Sequence, residues 1–240
     1  TENGNFDKKG QTMVELKVIG IQGIPEVEAG DDMALLIVDA ASKSSIPIED
    51  GDILVVTQKV VSKSEGRVVK LSTIEASHFA VQLSENHHRD PRHTEVILRE
   101  SARIVRMDRG TIISETRHGF ICANAGVDAS NLPLLDTVCL LPLDPDKSAH
   151  DIRRSLKSHT KKKVAVIISD TFGRPWREGA INVAIGTAGI RPILDYRGLQ
   201  DSYGSELRST VIVIADELAS AADLVMGKVE GIPVAIIKGY

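Results

Sequence analysis

A carboxylate and a hydroxyl follow a short apolar run in the second half of the chain. The run covers residues 164–168, and Asp170 and Thr171 come just after it. Loops at the carboxyl end of a buried strand face the crevice in which ligands bind. Carboxylate and hydroxyl oxygens suit Mg²⁺ or Mn²⁺ better than zinc. The pattern favours a divalent-metal site over its alternative, the N-terminus of an ordinary helix.

Two arginines come next in the same segment. Arg174 and Arg177 lie three residues apart, and guanidinium groups bind phosphate or carboxylate through paired hydrogen bonds. We therefore predict that this pair binds an acidic substrate. The alternative is that both side chains are simply solvated.

A second candidate segment covers residues 124–131, after the apolar residues 120–123. Its small residues let a ligand approach the backbone, while Asp128 and Asn131 supply polar contacts. From spacing alone, however, the favoured interpretation is a polar turn whose side chains cap its own amides.

Three cations follow the apolar run at residues 53–56. Lys59, Lys63 and Arg67 are spaced four apart, so on a helix they would share one face. Such a face can neutralise a polyphosphate, but spacing alone favours a solvated stripe of charge.

The elements that carry these segments are predicted from hydrophobic periodicity and turn residues. Strands are predicted at residues 14–19, 53–56, 111–115, 120–123, 138–141, 164–168, 211–214 and 234–237. Helices are predicted from a cap at Asp31 or Asp32 through Ala40, and at residues 73–87, 93–103, 145–157 and 216–226. The alternation predicts a mixed α/β (α+β) fold, with mixed sheets, flanking helices and an intertwined two-lobed protomer.

Composition limits the function classes. The 240 residues are 42% hydrophobic, 26% charged and 3% aromatic, with a net charge of −4. These values exclude general disorder and give no support to nucleic-acid binding. No apolar run is long enough for a membrane helix, so we expect a cytoplasmic protein. Cys122 and Cys139 are expected to be core thiols.

Well-known signatures are absent from the sequence. It contains no G-x-x-x-x-G-K-[ST], no G-x-G-x-x-G after a strand, no H-E-x-x-H and no G-x-S-x-G. A P-loop or Rossmann fold is therefore not expected. Residues 1–12 are polar and are expected to be a disordered tail or an expression remnant, with one domain over residues 13–240.

The segments described above, with several others, resemble the coenzyme F420-0:γ-glutamyl ligase family. The matching stretches are residues 14–32, 49–67, 124–131, 141–149, 169–179, 203–207 and 215–228. They run in order over nearly the whole chain. The Gly-Arg-Pro-Trp-Arg-Glu-Gly segment is similar to bacterial two-domain members, in which a nitroreductase-like half follows the ligase half.

The resemblance implies a homodimeric ligase that uses GTP, Mg²⁺ or Mn²⁺, and commonly a monovalent cation such as K⁺, to add L-glutamate to F420-0. It assigns one divalent metal to Asp128 and Asp170, and a second to Thr171. It assigns nucleotide contacts to Gly23, Ile24, Pro25, Glu26, Thr57, Gln58, Ser62, Lys63, Asn131, Met226, Gly227, Lys228, Val229, Glu230, Gly231, Ile232 and Pro233. Archaeal members carry a second-metal Glu where this chain has Lys228, and Glu230 is a candidate replacement.

Two other functions share these features. A metal-dependent phosphohydrolase would use the same aspartates but would need no amine acceptor. A non-catalytic nucleotide- or flavin-binding module would bind without turnover. For a ligase, phosphoryl transfer to a carboxylate would give an acyl phosphate, which the glutamate amine then attacks.

Overall fold

The computed structural model describes residues 15–85, 89–108, 110–130, 132 and 135–240. The expected tail at residues 1–12 and the predicted nucleotide contact Asn131 lie outside these residues. The strands are β1 (Lys17–Ile21), β2 (Ile53–Thr57), β3 (Val68–Lys70), β4 (Ser101–Asp108), β5 (Thr111–Thr116), β6 (Ile121–Ala123), β7 (Thr137–Cys139), β8 (Ala165–Gly173), β9 (Ala180–Ala188), β10 (Ile193–Asp195), β11 (Val211–Val213) and β12 (Val234–Lys238). The helices are α1 (Met33–Lys43), α2 (Gln58–Ser64), α3 (His78–Glu85), α4 (Pro91–Glu100), α5 (Pro145–Thr160) and α6 (Ile214–Met226).

A five-stranded sheet forms the first lobe, in the order β1-β12-β2-β8-β9. Only β2 and β8 run parallel, and the other neighbours are antiparallel. Because its central strands are buried on both faces, they are continuous apolar runs rather than alternating ones. Leu54, Val166 and Ile236 face one core cluster, while Val55, Ile167 and Ile237 face the other.

Helices cover both faces of this sheet. α1 and α5 pack on one face, and α6 packs on the other. The Asp32 carboxylate caps α1 by accepting from Ala34 N at 2.9 Å, which confirms the predicted start. α5 begins where Asp144 accepts from Lys147 N at 2.9 Å, with a proline in the first turn, where the missing N–H costs nothing.

The second lobe is inserted between α2 and α5. Its elements are the sheet β4-β5-β6, the pair β3-β7, and helices α3 and α4. They bury a separate core that includes Leu71, Ile97 and Val138. The mixed α/β class with two lobes is confirmed. None of the helices in the described part of the chain is long and apolar enough to cross a membrane.

Several predicted boundaries are wrong. The helix expected at residues 73–87 begins only at His78, and the strand expected at residues 138–141 ends at Cys139. The strand expected to end at residue 168 continues through Gly173, because β9 pairs with it along its whole extension. The helix expected at residues 93–103 ends at Glu100, because Ser101 begins β4, which pairs with β5. At the ends of β8 and α4, pairing with a neighbouring strand overrides the local pattern.

Candidate active site

A cavity of about 520 Å³ opens at the carboxyl edge of the parallel pair β2 and β8. Thr57 at the end of β2 pairs with Ser169 of β8. Lys59 on α2 and Asp170 on β8 follow these two residues closely. They therefore lie at the same edge of the sheet. This edge is where ligands bind in open α/β sheets, and it brings two of the three candidate segments together.

Asp170 lies on the floor of the cavity, within β8 rather than in a loop after it. A bulge between Ile168 and Ser169 shifts the register of the β8–β9 pair just before it. Burial raises the pKa of the Asp170 carboxyl from 3.8 to about 6, and the negative charge of Asp128 adds to this rise. The Thr171 backbone amide and the nearby lysines offset it only in part. Asp170 is thus a partly buried carboxylate whose charge is poorly compensated.

Asp128 approaches the cavity from the second lobe and is held by a lysine. Lys59 Nζ donates to Asp128 Oδ2 at 2.6 Å and to the Ser130 carbonyl oxygen at 2.7 Å. The Ser130 amide donates to Asp128 Oδ1 at 2.7 Å. Burial alone would raise the pKa of Asp128, but these bonds outweigh it and lower the pKa below 3.8. The two aspartates therefore have opposite electrostatic environments.

The backbone before Asp128 is unusual. Asn124, Ala125 and Gly126 have φ values of 54°, 53° and 71°, a left-handed conformation that costs a non-glycine residue free energy. The bend sets Asp128 antiparallel to Cys139, with paired backbone hydrogen bonds of 3.0 and 2.8 Å. Strain of this kind accumulates at functional sites, and here it places a carboxylate.

A chain of hydrogen bonds fixes the orientation of the Thr171 hydroxyl. Asn182 of β9 donates through Nδ2 to Asp223 of α6 at 3.0 Å and accepts from Thr171 Oγ1 at 2.7 Å. Lys228 Nζ donates to the same Thr171 oxygen. The hydroxyl therefore gives its proton to Asn182, and its lone pairs are left to accept from a cationic group.

Helix α2 and the chain after β1 form the opposite wall. Lys63 Nζ lies 2.5 Å from Glu26 Oε1, and both residues line the cavity. Ser62 donates to Gln58 Oε1 at 2.8 Å inside the protein. Lys59 and Lys63 thus share a cavity-facing surface, as the spacing predicts. Arg67 lies beyond α2 and donates instead to Glu100 and to the Leu141 carbonyl oxygen.

Comparison with known proteins identifies the family of this chain. Residues 21–239 match the model of the F420-0:Gamma-glutamyl ligase family. The chain belongs to this family. It is 49% identical over 227 residues to the coenzyme F420:L-glutamate ligase of Methanothermobacter thermautotrophicus, covering 94% of this chain and 89% of that protein. The enzymes of the same name from Methanopyrus kandleri (93% and 88% covered) and Methanocaldococcus jannaschii (94% and 88% covered) are 47% and 44% identical. The chain is therefore a ligase.

Most of the predicted contact residues of this ligase line the one cavity. They are Ile24, Pro25, Glu26, Thr57, Gln58, Lys63, Asp128, Asp170, Thr171, Gly227, Lys228, Val229, Gly231, Ile232 and Pro233. Gly23 and the buried Ser62 lie next to lining residues. Met226 is 1% exposed in the core beneath α6. The cavity therefore collects segments from both lobes of the ligase.

Three predicted residues lie elsewhere. Arg174 donates to the Glu178 and Gly179 carbonyl oxygens of its own hairpin, and neither it nor Arg177 lines the cavity. Glu230 turns its carboxylate onto the Val229 amide at 2.9 Å and is also outside the lining. Backbone groups of a loop need hydrogen-bond partners. Arg174 supplies donors for two loop carbonyl oxygens, and Glu230 supplies an acceptor for a loop amide.

Two site residues were missed from the sequence. Asn182 and Asp223 orient Thr171 from β9 and α6. Asn182 belongs to a strand that the apolar pattern did not predict, and no spacing links it to Asp223. The signal that could have indicated β9 is the β-branched residue at every second position from Ile181 to Ile185.

The donor set of the ligase suits one hard divalent ion. No group of three His, Cys, Asp or Glu side chains forms a metal centre among the described residues. Asp128 and Asp170 nevertheless line one cavity, and Mg²⁺ is commonly bound by one or two carboxylates together with substrate phosphates. The poorly compensated charge of Asp170 fits such an ion. The position at Thr171, in contrast, faces the ammonium of Lys228.

Proposed function

We propose that this ligase joins L-glutamate to coenzyme F420-0 and then adds further γ-linked glutamates, with GTP as the energy source. The relatives that match over nearly their whole length carry the name coenzyme F420:L-glutamate ligase. The observation that carries the proposal is the single cavity that gathers lysines, aspartates and the 227–233 loop. That combination suits a nucleoside triphosphate together with an acidic acceptor.

The phosphates of GTP would lie between α2 and the two aspartates. Lys59 and Lys63 supply positive charge on one side, and the backbone of Gly227 and Gly231 lines the other. Asp128 and Asp170 would hold one Mg²⁺ or Mn²⁺, which supplies charge neutralisation during phosphoryl transfer. For this ion to bind, Lys59 must release Asp128, and the freed ammonium is then available to the phosphates.

The reaction balances as an acyl-phosphate mechanism. A carboxylate oxygen of F420-0 attacks the γ-phosphorus, the bond to the β-phosphate oxygen breaks, and GDP leaves. The glutamate amine then attacks the acyl carbon, and phosphate leaves with the former carboxylate oxygen while the amine loses a proton. The protein's task is to position the reactants and to neutralise charge.

Arg174 and Arg177 are proposed to bind the acidic groups of F420-0 from the tip of the β8–β9 hairpin. Arg177 is exposed and Arg174 is half-buried. Alanine at both positions is expected to raise the KM for F420-0 about tenfold or more, corresponding to one charge-assisted bond, with an unchanged KM for GTP. An unchanged KM for F420-0 would contradict this role.

The family resemblance also supports a homodimer and assistance by a monovalent cation such as K⁺. Light scattering of the purified protein tests the first. A comparison of initial rates in potassium and in tetramethylammonium salts tests the second.

Mass spectrometry of a reaction with F420-0, GTP, Mn²⁺ and L-glutamate tests the function. We expect a product that is heavier by one or more glutamyl units, and none with Asp170→Asn. Asp39→Asn, an exposed aspartate of α1, is the matched control and keeps activity. GTP hydrolysis without a mass change would favour the phosphohydrolase, and nucleotide binding without turnover the binding module.

A further inference from the structure

The hydroxyl of Thr171 has a fixed polarity. A carboxylate only accepts hydrogen bonds, so Asp223 orients the Nδ2 of Asn182 toward itself, at 3.0 Å. The Asn182 Oδ1 atom must then face Thr171, whose hydroxyl proton it accepts at 2.7 Å. Asn182 is 3% exposed, so water does not compete for these bonds. The remaining lone pairs of Thr171 Oγ1 are thus directed to a cation.

That cation belongs to the protein. Lys228 Nζ donates to Thr171 Oγ1, and its charge also lowers the pKa of Asp170, as one of several smaller influences. The ammonium therefore contacts a hydroxyl oxygen and interacts electrostatically with the partly buried carboxylate of Asp170. These two groups are hard oxygen donors of the kind that bind Mg²⁺.

The loop that carries Lys228 is shaped to present it. Gly227 ends α6 with a φ of 61°, which turns the next side chain toward β8. Glu230 accepts from the Val229 amide, and its carboxylate lies against Gly227, where a Cβ would be 1.9 Å from Oε2. The acidic side chain of the loop thus holds the turn, while the basic one enters the cavity.

We propose that the Lys228 ammonium is a built-in cation at the Thr171 position, so that this ligase binds one divalent ion per chain instead of two. The inference rests on the proposed function, which supplies the ion at Asp128 and Asp170. A second divalent ion at Thr171 would meet the lysine charge at contact distance and would gain no carboxylate from Glu230. The positive charge that a second ion would bring to the phosphates comes here from a side chain.

Manganese stoichiometry in the presence of GDP tests the inference without reference to activity. Bound Mn²⁺ is measured by electron paramagnetic resonance of the free ion after equilibrium dialysis, with a protein-free GDP blank. We expect one Mn²⁺ per chain for the unmodified protein and two for Lys228→Glu, which replaces the ammonium with a carboxylate. Lys157→Glu makes the same charge change on the exposed face of α5 and is expected to bind one.

Two more variants separate the alternatives. Glu230→Gln is expected to leave one Mn²⁺ per chain, because the Glu230 carboxylate accepts from the Val229 amide and does not bind an ion. Lys228→Gln, a neutral change, is expected to admit a second, weaker Mn²⁺ even if Lys228→Glu does not fold.

Each other outcome has a distinct meaning. Two ions on the unmodified protein, or a loss of one ion in Glu230→Gln, would overturn the inference and leave the proposed function standing. A single ion in a folded Lys228→Glu would overturn it as well. No bound Mn²⁺ on the unmodified protein would contradict the proposed metal site, and the inference with it.

Discussion

Replacing Asp170 by asparagine is expected to stabilise the free protein while it abolishes ligation. Burial raises the pKa of this carboxyl from 3.8 to about 6, so the folded state binds the proton more tightly than the unfolded chain. Two pKa units at about 1.4 kcal/mol each give a cost of about 3 kcal/mol for the charged form. Asparagine removes the charge and keeps an oxygen that accepts from the Thr171 amide.

The pH dependence follows from the sign of that shift. The cost is absent below the unfolded pKa near 3.8, grows as the pH rises, and is complete above about 6. For a chain of this size, 1 kcal/mol corresponds to a shift of about 2–4 °C in Tm. At pH 7.5, with EDTA and no nucleotide, Asp170→Asn should therefore melt about 6–12 °C higher than the unmodified protein, and the gap should shrink markedly at pH 4.5.

Asp128→Asn is a control for which the opposite effect on stability is expected. The bonds from Lys59 and Ser130 outweigh burial and lower the pKa of Asp128, so its charge stabilises the fold above the usual pKa and the benefit is lost as the pH falls. This variant should therefore melt below the unmodified protein at pH 7.5. The reasoning is refuted if Asp170→Asn is no more stable at pH 7.5, or if its advantage does not change with pH.

Two further substitutions test how Asp128 is placed. Lys59→Met removes the 2.6 Å partner of Asp128 and should lower the free energy of unfolding in urea by about 1–3 kcal/mol; an unchanged midpoint would contradict the importance of this bond. Gly126→Ala puts a Cβ 2.7 Å from Leu141 Cγ at a φ of 71° and should cost about 2–4 kcal/mol. Gly119→Ala, also at positive φ but in open space, should cost only about 1 kcal/mol, and equal losses would refute the steric argument.

Local sequence patterns predicted much of the fold correctly. The apolar run at residues 53–56 predicted β2, because a strand buried on both faces must be apolar throughout. The Asp32 and Asp144 caps predicted the starts of α1 and α5, since a side-chain acceptor for the first amides is a strictly local device.

The strand β9, which the sequence pattern did not predict, shows a limit of local sequence signals. It contains Gly186, which weakens a strand prediction. The structure requires that glycine, because a Cβ would lie 2.3 Å from the Pro145 carbonyl oxygen of α5. Without β9, the extension of β8 through Gly173 and the role of Asn182 could not be predicted.

Some features of the site could be predicted from local sequence and others could not. Asp170 and Lys59 were accessible from the sequence because each follows a recognisable strand, and parallel pairing then brings them together. The contact between Lys59 and Asp128 joins residues 69 positions apart. Whether a lysine faces solvent or an aspartate is decided by tertiary structure, which spacing does not encode.

Transfer of an oxygen isotope tests the central claim most directly. F420-0 labelled with ¹⁸O in its reacting carboxylate is incubated with the ligase, GTP, Mn²⁺ and L-glutamate, and the released phosphate is analysed by mass spectrometry. The acyl-phosphate account predicts one ¹⁸O atom in phosphate for each first glutamate joined to F420-0, while later additions activate an unlabelled glutamyl carboxylate. Unlabelled phosphate from the first addition would show that water, not the carboxylate, attacked GTP, and would contradict the account.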